Sequence, residues 1–86
     1  MPEISRFLGI VVAMYYNDHN PPHFHARYGE YEVTVEIESG EIMSGTFPIR
    51  ARKHVLAWLD LHRSALVENS KRAWKREPLR RIEPLE

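Results

Sequence analysis

Three of the chain's five histidines, His19, His23 and His25, stand within seven residues, with Asp18 before them and Arg27 after. Imidazole takes and gives protons near neutral pH and is the commonest side-chain ligand for transition metals. In a first chemistry, one histidine takes a proton while another gives one, and Arg27 stabilises a pentavalent phosphate. That suffices for RNA cleavage through the 2′-hydroxyl, with Tyr16 and Tyr28 as candidates to stack bases or donate protons. In a second, His19, His23, His25 and Asp18 hold zinc or another divalent transition metal, because a chain without cysteine offers only imidazole and carboxylate. A third reading needs no reaction: His19 caps the Pro21-Pro22 loop, and His23 and His25 pair across a sheet with Glu36 and Thr34. The spacing alone leaves all three open.

The elements that must position this cluster can be read on either side of it. Gly9–Tyr16 is a continuous apolar, β-branched and aromatic run, which predicts an interior strand. Asn17–Pro22 breaks it, and two successive prolines make a rigid loop. Tyr28-Gly29-Glu30-Tyr31 then has glycine first in a two-residue turn, as type II′ requires. Closing the hairpin there sets Tyr28 opposite Tyr31, Ala26 opposite Val33 and Phe24 opposite Val35 on the apolar face. The other face pairs Arg27 with Glu32, His25 with Thr34 and His23 with Glu36, so His23, His25 and Arg27 share a side. A further strand over Ile42–Phe47 admits two registers. Facing Met43, Gly45 and Phe47 inward is preferred over Ile42, Ser44 and Thr46, because it buries two large side chains.

Pro48 fits a first helical turn, and Val55, Trp58, Leu59, Leu66 and Ala73 recur at helical spacing, widened by Leu56 and Leu61. Asn69-Ser70 marks a kink or division before a basic last turn that complements the helix dipole. Trp58 reads as core; Trp74 has core, interface or nucleic-acid platform open to it. His54 and His62 read as helix-surface or core-edge residues. The proline-punctuated tail reads as an extended arm docking on the domain or on a partner. The fold expected is therefore α+β: one domain over residues 1–86, with a four-stranded, mainly antiparallel sheet within 4–47. One long or broken helix over 48–76 packs on its apolar face, and the arm spans 77–86.

Eighty-six residues bury a thin core, so association with a small cognate protein or a second copy is expected. The longest apolar stretch is too short to cross a bilayer, and no basic-then-apolar leader opens the chain, which predicts a soluble cytoplasmic protein. The formal net charge of zero hides a split. Residues 1–48 carry two basic against seven acidic side chains, net −5, and residues 49–86 carry ten against five, net +5. Either the halves pair with each other or the C-terminal half offers a basic surface to RNA, DNA or another anionic partner. Arg50, Arg52 and Lys53 crowd the first helical turn against the dipole. With Lys71 and Arg72 near the other end they are the candidates for phosphate or partner binding.

Taken together, Met1-Pro2-x-Ile4-Ser5-Arg6-Phe7, Gly9-Ile10-Val11, the Tyr28-Gly29-Glu30 turn and the closing Glu83-Pro84-Leu85 resemble one bacterial family. So does the core Met14-Tyr15-Tyr16-x-Asp18-His19-x-Pro21-Pro22-His23-Phe24-His25, where x is any residue. That family is called domain of unknown function 4160. The resemblance implies a small stand-alone protein encoded beside a member of another uncharacterised family, an arrangement similar to a toxin–antitoxin pair. It supplies no catalytic residues. The leading expectation is a toxin–antitoxin-type component acting on RNA or binding nucleic acid through His19, His23, His25 and Arg27. The alternatives are a non-enzymatic protein-binding module with structural histidines, or a small histidine-ligated metal protein.

Overall fold

The computed structural model describes residues 2–16 and 21–85. Five strands, β1 (Glu3–Phe7), β2 (Ile10–Ala13), β3 (His23–Tyr28), β4 (Tyr31–Glu36) and β5 (Ile42–Thr46), form one sheet in chain order. All neighbours are antiparallel. One helix follows, α1 (Ile49–Trp74). The α+β class holds, but the sheet has five strands, not four. The additional one is β1, and its sequence hides it for two physical reasons. A bulge between Glu3 and Ser5 breaks the two-residue alternation, so that Ile4, Ser5 and Phe7 are all buried. The β1–β2 turn is Leu8-Gly9, with φ of 51° and 79°. That is type I′ geometry with leucine in a left-handed position that asparagine or glycine usually fills.

The central hairpin has the expected register throughout, from Tyr28↔Tyr31 to His23↔Glu36. Gly29 takes φ of 59° while Glu30 stays at negative φ, as type II′ demands. In β5 the preferred register is half right. Gly45 opposes Val33 and Phe47 is buried, but a bulge at Met43 turns the strand over, so Ile42 meets Val35 and Met43 is 45% exposed. Gly45 is required where it stands: its φ is 86°, and a Cβ there would collide with the carbonyl oxygen of Glu32.

The helix lays Ala51, Val55, Trp58, Leu59, Leu66 and Ala73 on the apolar face, where Trp58 is fully buried between Phe7 and Phe24, ring centroids 5.4 and 5.6 Å away. Leu61 does not widen this stripe; it is 69% exposed. The break in the helix is at His62 (φ −123°, ψ 24°), not at Asn69-Ser70. Asn69 is buried inside the helix for another purpose. Its amide nitrogen donates to the Arg80 carbonyl (2.8 Å) and its carbonyl accepts from the Arg80 amide (3.0 Å), so it grips the returning tail like a strand partner. The tail docks on its own domain: the Ile82 amide donates to Ile4 (2.8 Å) and the Trp58 indole donates to the Glu83 carbonyl (2.8 Å). Among the described residues no helix is long and apolar enough to cross a membrane.

Candidate functional site

The Gly29 turn fixes the parity of β3, and parity puts the side chains of His23, His25 and Arg27 on the side of the sheet away from the helix. The approach to His23 is held at two points: the Pro22 carbonyl accepts from the Ile37 amide (3.1 Å), and the Pro21 carbonyl accepts from His23 Nδ1 (2.8 Å). A carbonyl can only accept, so Nδ1 carries the proton and, in the neutral ring, Nε2 carries the lone pair. His25 is clasped more closely. Its Nδ1 lies 3.3 Å from Thr34 Oγ1, and the Tyr15 ring meets it edge-on at 4.5 Å. The His23 and His25 rings are 5.2 Å apart at 77°.

His23 stands where the sheet rim meets the end of the helix, and there the molecule opens into a groove of about 430 Å³. Buried Met14 and Ala73 form its floor. Tyr15, Tyr16, Pro22 and His23 make the sheet-side wall; Val67, Ser70, Lys71, Trp74 and Lys75 make the helix-side wall. Tyr16 is 37% and Trp74 is 70% exposed, so two aromatic surfaces meet solvent beside two lysines that make no ion pair among the described residues. The helix stops here in a Schellman turn: Arg76 N donates to Ala73 and Glu77 N to Arg72, with Arg76 at φ 61° where glycine is usual.

The expected site residues divide. His23 and His25 come together. Arg27 follows on the same face but lies roughly 13 Å along the strand from His23, at the Glu32 end. Tyr28 lies at that end too, its ring 6.2 Å from Phe47. Asp18 and His19 lie outside the described residues. Lys71 lines the groove, whereas half-buried Arg72 turns to Glu68 (3.8 Å) and Glu77 (3.9 Å). Arg50, Arg52 and Lys53 are at the other end of the helix, roughly 30 Å from Lys71, so the two basic clusters cannot serve one phosphate. Among the described residues, no group of three or more His, Cys, Asp or Glu could hold a metal ion.

Sequence reasoning flagged Trp74 and the basic last turn but not the groove that unites them with His23. Nor did it see that Tyr15 would clasp His25. The groove depends on where a helix laid across the sheet ends, and the Tyr15–His25 contact on the β2–β3 register, which sets Ala13 opposite His25. Of the ion pairs between described residues, one joins the halves of opposite charge. Arg81–Glu3 (3.3 Å) crosses between them, while Arg6–Glu3, Arg63–Asp60, Arg72–Glu68 and Arg72–Glu77 stay inside one half.

A family model described as a domain of unknown function, DUF4160, matches residues 9–70, which is most of the chain. The chain belongs to that family. The matched segment of this DUF4160 protein holds β2 through β5 and the histidines, and it ends at Ser70, before Lys71, Trp74 and Lys75. No curated protein and no solved structure matches the chain.

Proposed function

We propose that this DUF4160 protein binds single-stranded nucleic acid, RNA in the first place, in the groove between the β2–β3 loop and the end of α1. The observation that carries the reading is Trp74, 70% exposed on the rim of a roughly 430 Å³ groove and flanked by Lys71 and Lys75. A fold of 86 residues has no use for an exposed indole as core. A base stacked on an aromatic face with its phosphate near an ammonium is how unpaired nucleic acid is held without sequence preference. Tyr16 offers a second face across the groove. A toxin–antitoxin component acting on RNA would need such a site, and that role is part of the proposal.

Cleavage is a second reading, favoured by one observation: His23 lines the groove with its Nδ1 anchored, and the His25 ring is 5.2 Å away. His23 would take the proton of a 2′-hydroxyl at Nε2 as that oxygen bonds to phosphorus. The 5′-oxygen then leaves with its electron pair and takes a proton from a protonated imidazole, giving a 2′,3′-cyclic phosphate and a 5′-hydroxyl with no other reactant.

The test is fluorescence polarisation of a labelled single-stranded RNA oligonucleotide titrated with the protein at several salt concentrations. Wild type should bind with a negative salt slope. Trp74→Ala should weaken binding by about 1–3 kcal/mol, the worth of one stacked base. Lys71→Ala and Lys75→Ala should each reduce the slope by about 0.7. Absence of RNA binding, or binding indifferent to Trp74→Ala, sinks the proposal and leaves the protein-binding module as the reading. Product analysis on the same samples tests cleavage, which His23→Gln should abolish while binding persists. Stoichiometric metal in untagged protein, lost in His23→Ala, would shift the reading to metal chemistry.

A further inference from the structure

The sheet has two edges, and the chain treats them differently. Both edge strands are bulged, at Ile4 and at Met43, so the difference is in what covers them: at β1 the Glu3–Arg6 pair and the returning tail occupy the edge, with the Ile82 amide bonded to Ile4. These are the devices that keep an edge strand from recruiting another chain. At β5 the edge carries no charge and no proline from Ile42 to Phe47. No described segment lies along its outer side, and Met43, Ser44, Gly45 and Thr46 are all exposed. Beside it stand more exposed apolar side chains, Tyr31 at 43% and Ile49 at 64%.

The charges around β5 are ordered along its direction. Glu38 and Glu41 precede it, and Arg50, Arg52 and Lys53 follow it across Pro48. All five are exposed, and none makes an ion pair among the described residues. We infer that β5 is the seam of a two-fold dimer in which two copies of this chain pair their β5 edges antiparallel.

An antiparallel two-fold sets the start of one strand against the end of the other, so the acids of each copy face the bases of its partner at both ends. A parallel pairing would set like against like. Glu41 of each copy then stands at the end of the other copy's β5, toward Arg50. The two five-stranded sheets become one continuous sheet, and the first helical turns, otherwise a cationic cluster at the positive end of a dipole, gain carboxylates. The histidine groove is at the opposite end of α1, outside the seam, so this inference stands apart from the reading of that groove.

The experiment is sedimentation equilibrium of the full chain from micromolar to near-millimolar concentration, with circular dichroism as the check on folding. Wild type should approach twice the chain mass of 10.2 kDa. Glu41→Arg, which turns attraction into repulsion at two symmetric places, should raise the dimer dissociation constant roughly tenfold. Adding Arg50→Glu in the same chain should restore it, and Met43→Lys, a charge set into the seam, should abolish association. A wild type that is monomeric throughout overturns the inference. So does a dimer that ignores both single variants, or one lost in Glu41→Arg and not recovered in the double variant.

Discussion

Trp58 and Trp74 lie on the same helix, yet the fold uses only the first. Sixteen positions at about 100° each carry the second indole to roughly the opposite side of the axis. Trp58 is fully buried, packed between Phe7 and Phe24, and its N–H is satisfied by Glu83 of the tail. Trp74 is next to buried Ala73, which supplies the core contact at the helix end, and its own ring stays in solvent. One indole is thus accounted for by packing and hydrogen bonding, and the other, among the described residues, by neither. This is the difference on which the functional reading rests.

The most direct way to break that comparison is to remove each ring in turn. Trp58→Ala should lower the unfolding free energy by about 3–5 kcal/mol in urea denaturation, the usual cost of emptying a large aromatic site. Trp74→Ala should change it by no more than about 0.5 kcal/mol, as exposed positions do, while RNA binding falls. A stability loss at Trp74 comparable to that at Trp58 would make its ring structural and remove the reason for the groove proposal.

The tail sharpens the contrast, since it reaches Trp58 and not Trp74. Asn69→Ala leaves the Arg80 amide and carbonyl without their buried partner and should cost about 1–3 kcal/mol. Amide exchange over residues 79–85 should speed up with it, and the Trp58 emission should shift to the red. RNA affinity should hold, because neither Asn69 nor the tail lines the groove. Smaller and opposite in sign is Leu8→Asn at the β1–β2 turn. Putting a residue that tolerates the left-handed conformation in place of an exposed leucine should stabilise the chain by about 1 kcal/mol, read as a shifted urea midpoint.

How much of this was legible beforehand follows from which interactions are local. The β3–β4 register could be read to the residue because a two-residue turn and a period of two leave one solution that buries Phe24, Ala26, Val33 and Val35. The helical stripe was legible for the same reason, except at Leu61, where the break at His62 follows by one position. What escaped was the work of bulges and tertiary partners. β1 and β5 each lose their alternation at one inserted residue, Ile4 and Met43. Asn69 in mid-helix reads as a defect until the tail that it binds is in place. The candidate site was legible as a pair, His23 with His25, from strand parity. Its extension to Trp74 and Lys75 depends on helix length and crossing, which no local pattern encodes.

The tail's other anchor is electrostatic, and pH separates it from the packing at Trp58. Glu3 accepts from Arg6 (2.8 Å) and Arg81 (3.3 Å), and those guanidinium groups, Arg6 above all, hold its pKa down to about 2 against an ordinary value of 4.5. A carboxyl whose pKa is depressed on folding contributes its stability above the unfolded value and loses it as pH falls through the folded one. The contribution is therefore whole above pH 4.5 and fades between there and pH 2. Because the ion pairs lie at the surface, the effect is small and further reduced by salt. Glu3→Gln should flatten the acid limb of the stability curve in that window and leave the curve near neutrality almost unmoved. Exchange should quicken first at Arg81 and Ile82, while Asn69 and Trp58 still hold the rest of the tail. If instead the whole tail is released with Glu3, the ion pair and not the buried indole is what seats it, and Trp58 loses its claim to be the structural member of the pair.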